Sequence, residues 1–371
     1  MRILVDYRPA LRARTGVGEY VHELARALEA TTPADETVTL FSSSWKDRLT
    51  GPDVPALRVV DRRVPVRLLN FAWHRLGRPS VESLTGATFD VVHAAHPLMI
   101  PAARAASVVT THDLDFLDHP ERTQAEIRRD YAALAPAHAR RAHQVIVSSR
   151  TTAHDVEHRL GVPASRISLC YPGRPAWQRR EREPDAGCIL FLGTLEPRKN
   201  LGLLLDAYER LLGLGRPVPP LVLAGRTTAA SEPVVQRTGR PPLKGRVEVP
   251  GYIAPGDREA LYHRALVVTL PSHTEGFGMP ALEAMTVGVP VVAANRGALP
   301  EVLGDAGQLV EPDDVVGFAD AISAVLESAP LRTRMRAAGW ARADAFEWRA
   351  TAAAVRTAWA TAFDRRRGQR D

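Results

Sequence analysis

Short apolar runs rich in β-branched residues recur along the chain, separated by longer stretches whose apolar residues have helical spacing. In the first half the runs predict strands at 2–6, 37–42, 57–60, 89–93, 107–111, 144–148 and 166–170. Helical spacing predicts helices at 17–29, 122–142 and 151–160. Strand–helix alternation of this kind argues for a mostly parallel sheet covered on both faces.

The pattern then breaks and restarts. Residues 171–175, Tyr-Pro-Gly-Arg-Pro, followed by the charged 179–183 and Pro184, read as a linker. Strands are predicted again at 188–193, 221–225, 247–249, 266–270, 290–293 and 308–310. Helices fit 201–212, 257–265, 280–286 and 315–327, and a last one about 341–363, before a charged end at 364–371. The organisation expected is a domain at 1–172, a linker at 173–187, a domain at 188–340 and a helical tail at 341–371 that packs back on the first domain. The fold class expected is α/β, two Rossmann-like doubly wound domains facing a central cleft.

Composition changes this picture little. A chain of 371 residues suits two domains of ordinary size, and 45% hydrophobic with 24% charged residues suits a globular protein. No apolar run approaches the ~18–20 residues that cross a bilayer. The opening Met1-Arg2-Ile3-Leu4-Val5-Asp6 meets an acid at once and reads as a first strand, not a secretion signal. The formal charge of +6 raises the question of nucleic acid, but the charge is scattered and nearly all arginine; lysine occurs only at Lys46, Lys199 and Lys244. No aromatic-interleaved basic stripe appears, so no nucleic-acid partner is expected. Cys170 and Cys188 lack metal-ligand spacing and fit a reducing, cytoplasmic setting.

The chemistry concentrates in four places. The first is 271–285, where Pro271 follows an apolar strand and Gly276-Phe277-Gly278-Met279-Pro280 opens a helix. Glycines let backbone approach a ligand, and the N–H groups and dipole of a helix start favour an anion such as a diphosphate. Glu275 before the helix and Glu283 about one turn inside it can face one ligand from two ends. Alone, two glutamates so spaced are more often a loop acid and a solvated helix face; here glycines, strand and helix start fall in register. The second is Gly193-Thr194-Leu195-Glu196-Pro197-Arg198-Lys199-Asn200, at the end of the second domain's opening strand. Doubly wound sheets bind ligands there, and adjacent Arg and Lys suit phosphate oxygens. The third is Thr15-Gly16-Val17-Gly18-Glu19-Tyr20, too poor in glycine for a dinucleotide fingerprint. It serves either as a loop approaching a phosphate or sugar, or as a simple turn. The fourth is His112-Asp113 after a strand, structural or functional with equal reason.

With these residues in place the chain resembles family 4 glycosyltransferases, retaining enzymes of GT-B fold, over nearly its whole length. The resemblance runs through Gly16–Tyr20, Thr111–Asp113, Ser148-Ser149, Gly193–Asn200, Gly251-Tyr252, Glu275–Glu283, 288–293 and Glu301; the run 193–200 is similar to bacterial mannosyltransferases of polysaccharide assembly. It implies a nucleotide-sugar donor, GDP-mannose first, as substrate without a cofactor, and a glycan, lipid-linked or small-molecule acceptor. It implies that Arg198 and Lys199 neutralise the leaving diphosphate, helped by backbone near Gly276, Phe277 and Gly278. Glu275 would hold sugar hydroxyls, Glu283 the ribose, His112 the sugar, and Gly16 would lie near the phosphates. Where many relatives carry Arg after the strand glycine Gly193, this chain has Thr194. No Asp-x-Asp follows a strand of the second domain, so no metal is expected. With His112 and Glu275 given to the sugar, Asp113 and Asp115 are the candidates left for a general base and no carboxylate is an obvious nucleophile, which favours retention. A GT-B sugar-nucleotide epimerase and a non-catalytic assembly partner are the rival readings. Residues 64–78 interleave Val66, Leu68, Leu69, Phe71, Trp73 and Leu76 with Arg67, Arg75 and Arg78. They suit either a core-facing helix or a basic amphipathic one in peripheral contact with the inner face of a membrane.

Overall fold

The computed structural model describes residues 1–11, 14, 16–120, 125–215 and 217–369, with the side chains of 125–129 outside that description. The chain divides into two compact units, Met1–Gly173 with Glu347–Asp371, and Arg174–Phe346.

Unit 1 holds seven parallel strands: β1 (Arg2–Asp6), β2 (Thr37–Ser43), β3 (Arg58–Arg62), β4 (Val91–Ala94), β5 (Ala106–Thr111), β6 (Gln144–Val147) and β7 (Ile167–Leu169). Their order is β3-β2-β1-β4-β5-β6-β7. The chain winds outward from β1 and then crosses back to β4, so direction reverses between β1 and β4. Every residue of β4 and β5 is buried, as a parallel sheet covered on both faces requires.

One cover is the helix Gly16–Thr31, which buries Tyr20, Val21, Leu24, Ala25 and Leu28, one face of a 3.6-residue repeat. Against the same core lies the chain's last helix, Trp348–Gly368, through Ala352, Val355, Ala358, Trp359 and Ala362. Burying a side chain such as Val355 contributes about 1.5–3 kcal/mol. The Arg356 guanidinium fixes the contact, donating to Glu36 Oε1 and Thr31 Oγ1, each at 2.8 Å. The expected tail helix is in fact two: Ala329–Ala343 in unit 2 and Trp348–Gly368 in unit 1. Phe346 breaks the run by burying itself against Phe277, with ring centroids 5.6 Å apart. The helix expected at 122–142 is described from Ala125 to Arg141; residues 122–124 lie outside the described residues.

Unit 2 holds six parallel strands: β8 (Cys188–Leu192), β9 (Leu221–Ala224), β10 (Val247–Gly251), β11 (Ala265–Leu270), β12 (Val291–Ala294) and β13 (Gln308–Val310). Their order, β10-β9-β8-β11-β12-β13, reverses between β8 and β11. The residues read as a linker are seated on this unit. Arg180 is buried, its N–H donating to the Val287 carbonyl at 2.9 Å and its Nη1 to that of Ala265 at 2.7 Å.

Candidate functional site

Adjacent parallel strands that lead in opposite directions leave a crevice at their carboxyl ends. In unit 2 the loops after β8 and β11 meet there. The first turns through Pro197–Lys199 to Asn200, a non-glycine residue with φ of 52°, which starts the helix Leu201–Leu212. Asparagine tolerates that conformation better than most side chains, and its Nδ2 donates to the Pro312 carbonyl at 2.7 Å. The second loop is tied to the first by backbone, His273 N–H donating to the Arg198 carbonyl at 2.9 Å.

These loops bring Arg198, Lys199 and Glu275 together. Lys199 Nζ donates to Glu275 Oε1 at 2.6 Å, and Ser272 Oγ donates to the same oxygen at 2.8 Å. Arg198 Nη1 lies 3.5 Å from Glu275 Oε2, while its Nε pairs with Glu196 Oε1 at 2.5 Å. Lys199 and Glu275 are both buried. Burial alone would raise the Glu275 pKa, but the charges of Lys199 and Arg198 and the hydrogen bonds from Lys199 and Ser272 hold it down at about 2. Lys199 lies below its ordinary value, because burial and then the Arg198 charge outweigh what Glu275 returns. A methyl added at Gly193 would come 3.8 Å from Lys199 Cε, so this glycine flanks the cation, and Thr194 beside it is half-buried.

The helix Met279–Val287 starts beside this cluster, with no side chain capping it. Its leading residue, Gly278, has φ of 99°, and a Cβ there would strike Leu299 Cδ2 at 2.8 Å. Gly276 is half-buried and Phe277 buried. Glu283, one turn inside the helix, does not join the Lys199 cluster; its Oε2 accepts from the Tyr262 hydroxyl at 2.6 Å and its Oε1 lies 3.8 Å from Arg258 Nη1. Burial, then the Glu283 charge, push the Tyr262 phenol far up, so it stays a donor.

In unit 1, His112 follows β5 and its ring meets Tyr20 edge-on, 5.0 Å between centroids. Its Nε2 is buried without a hydrogen-bond partner, and burial lowers its pKa, keeping the imidazole neutral. Asp113 instead accepts from the Asp115 N–H at 3.2 Å. Gly16 opens the helix that carries Tyr20; of the two glycines there, Gly18 is needed by packing, since a Cβ would meet the Pro9 carbonyl oxygen at 2.6 Å. At Gly16 nothing lies within 4 Å of that position, and Thr15 is outside the described residues.

Sequence reasoning missed Ser272, Tyr262, Arg258 and Gly297. Gly297 has φ of 58°, and a Cβ there would lie 2.8 Å from both the N and the O of Glu275, so only glycine lets this loop support the glutamate. Ser272 lay inside the motif and could have been found there; Tyr262 acts across 21 residues with no local signal. Among the described residues no group of carboxylates, histidines and cysteines could hold a metal ion, and no helix is long and apolar enough to cross a membrane.

Residues 174–342 match the family model for glycosyl transferases group 1, and residues 14–176 that for glycosyltransferase family 4. The O-antigen chain mannosyltransferase B of Escherichia coli is 29% identical over 94% of this chain and 96% of its own length. A D-inositol 3-phosphate glycosyltransferase of Xylanimonas cellulosilytica is 30% identical over 95% of this chain and 93% of its own. The crystal structure of Anabaena HepE in complex with UDP-glucose superposes with a TM-score of 0.70 at 20% identity, covering 96% of this chain and 99% of that one. With two reversing parallel sheets and both halves matched, the chain belongs to the family 4 glycosyltransferases and has the two-domain α/β GT-B fold.

Proposed function

We propose that this chain transfers a hexose, mannose in the first place, from a nucleoside-diphosphate sugar to a hydroxyl of a glycan, lipid-linked or small-molecule acceptor, with retention and without a metal. The observation that carries this is the meeting of Lys199 and Arg198 on one buried carboxylate, Glu275, at the carboxyl ends of β8 and β11. When the bond from the sugar's anomeric carbon to the diphosphate breaks, negative charge develops on phosphate oxygen. Preorganised cations and a helix start stabilise that charge in place of a metal. The acceptor oxygen attacks the face the phosphate leaves, and the phosphate takes its proton. Glu275 then accepts from sugar hydroxyls and Glu283 from the ribose, while Gly193, Thr194, Gly276, Phe277 and Gly278 offer backbone to the donor. In unit 1 the neutral His112 has an Nε2 suited to a sugar hydroxyl. Gly16 is the phosphate-side candidate of the same unit.

Mannose is favoured by the mannosyltransferase named among the relatives, and UDP-glucose is the natural competitor from HepE. The test measures thermal stabilisation by GDP-mannose, UDP-glucose and other donors, then follows the best donor by proton NMR in chelator with added acceptors. A true donor at 100 times its Kd adds about 2.7 kcal/mol. An α-linked product formed in chelator is expected. Stabilisation by none of the donors overturns the donor site, a β-linked product from an α-linked donor overturns retention, and turnover restored only by Mg²⁺ or Mn²⁺ overturns metal independence.

A further inference from the structure

The four most exposed large apolar side chains among the described residues lie in two segments of unit 1: Trp45 (65%) in one, and Leu68 (64%), Phe71 (59%) and Leu76 (58%) in the other. Trp45 stands two residues past the end of β2, and the helix Val66–Phe71, continued by a wider turn at Ala72–Leu76, follows β3. Because β2 and β3 are parallel neighbours, both segments leave the sheet at the same, carboxyl end of its strands.

The 66–76 segment has one apolar side in the core and further apolar residues outside it. Leu69 and Trp73 already fill that side and are buried, and Trp73 Nε1 donates to the Pro79 carbonyl at 3.0 Å. Arg8 secures the segment from within, its Nη1 donating to Asn70 Oδ1 at 3.0 Å and its guanidinium lying 4.8 Å from the Trp73 ring centroid. Leu68, Phe71 and Leu76 are surplus to the fold and face outward. Around them Lys46, Arg62, Arg63, Arg67, Arg75 and Arg78 are exposed, and no acid occurs from 62 to 81. Asp47, two residues past Trp45, is half-buried and accepts from Ser44 Oγ at 3.4 Å, and Asp61, at the border, is paired with Arg48 at 2.9 Å.

We infer that this face docks on the surface of an anionic lipid bilayer, with Trp45, Leu68, Phe71 and Leu76 in the headgroup region and the basic side chains on lipid phosphates. Apolar side chains ringed by arginine suit that boundary, and exposed tryptophan is an interfacial anchor. Outward apolar residues with this predominantly basic rim suit anionic lipid better than a second copy, whose matching rim would repel.

The test is sedimentation at low salt with vesicles of mixed phosphatidylglycerol and phosphatidylcholine, against phosphatidylcholine alone. The proteins are the full chain, Leu68→Ser with Phe71→Ser, and Arg67→Gln with Arg75→Gln. Binding to the anionic vesicles should exceed binding to the neutral ones by at least about tenfold, and each double variant should lose about that factor with unchanged Tm. Absence of binding by the wild-type chain overturns the inference. So does binding that neither variant weakens, or self-association in place of vesicle binding that Leu68→Ser with Phe71→Ser abolishes. Donor stabilisation measured on the same preparations keeps this outcome separate from that of the donor site.

Discussion

Both units wind a parallel sheet in two directions from a central strand, and both set a carboxylate against cations where the winding reverses. In unit 1 the pair is Asp6 and Arg8. Arg8 Nε and Nη2 reach Oδ1 and Oδ2 of Asp6 at 2.8 and 2.7 Å, Nη1 reaches Asn70, and His96 Nε2 lies 3.1 Å from the same carboxylate. Every nitrogen of that guanidinium is committed to holding β1 and the 66–76 segment in place. In unit 2 the carboxylate is Glu275, and its closest cation is Lys199, a point charge on a flexible stem that can re-aim toward a ligand. One architecture has thus been filled in two ways: a guanidinium fork locked into the fold on one side, cations beside a helix start on the other. The difference teaches that a switch point marks where a site can be, and that residue chemistry decides whether it becomes one.

Removing each cation should break the two units in different currencies. Lys199→Ala should cut turnover by about 10²–10³, the cost of losing one preorganised partner of a developing anion. Arg8→Ala should act mainly on stability, at about 3–5 kcal/mol, because it strands the buried Asp6 carboxylate. Steady-state kinetics and denaturant titration of both variants check this. If Arg8→Ala folds normally and loses turnover as Lys199→Ala does, the assignment of roles to the two switch points is wrong.

Acid should then separate the units. In unit 1 burial holds His22 and His138 at about 4 and His93 at about 3, against an ordinary value of 6.5. Histidines depressed in the folded state take up protons first in the unfolded chain. The stability they contribute is complete above pH 6.5 and is lost as pH falls toward 4 and below. Glu275 of unit 2, at about 2 against 4.5, loses its contribution only between pH 4.5 and 2. Each unit carries one buried thiol, Cys170 in unit 1 and Cys188 in unit 2. Labelling with a dithiodipyridine, which reacts at acid pH, should reach Cys170 before Cys188 as pH falls from 6.5 to 4.5. The opposite order would refute the contrast.

Much of this was legible because parallel strands buried on both faces are continuous apolar runs. β1, β11 and β13 fall within a residue of where their β-branched runs stand. Glu275, Arg198 and Lys199 were visible because glycines, a strand end and a helix start flank them in sequence. The tail's break at 344–347 was not, since nothing local forbids helix there; burial of Phe346 against Phe277, 69 residues away, decides it. The Asp6–Arg8 pair read only as the end of a strand, because its other partners, Asn70 and His96, come from distant segments. Of the missed residues, Tyr262, Arg258 and Gly297 share that property, each acting through a contact that sequence distance hides; Ser272, three residues from Glu275, does not.

The smallest expected effect tests such a contact. Tyr262 is wholly buried, its ring packed 5.5 Å from that of Trp177, and its hydroxyl donates to Glu283 at 2.6 Å. Tyr262→Phe keeps the ring and deletes one hydrogen bond to a charged group, worth about 1.5–3 kcal/mol. Arg258, 3.8 Å from the other oxygen, retains part of the carboxylate's orientation, so the lower end of that range is expected. If Glu283 reads the donor's ribose, the loss falls on binding that ground state and transition state share. KM for the donor should then rise about tenfold with kcat nearly unchanged. A purely structural role for Tyr262 would also weaken donor binding, so the decisive measurement uses a donor that lacks a ribose hydroxyl. The wild-type enzyme should discriminate against it, and Tyr262→Phe should discriminate much less, because the two deletions remove parts of one interaction. Equal discrimination by both proteins would mean that Tyr262 supports the helix Met279–Val287 in general, and that the ribose is held elsewhere.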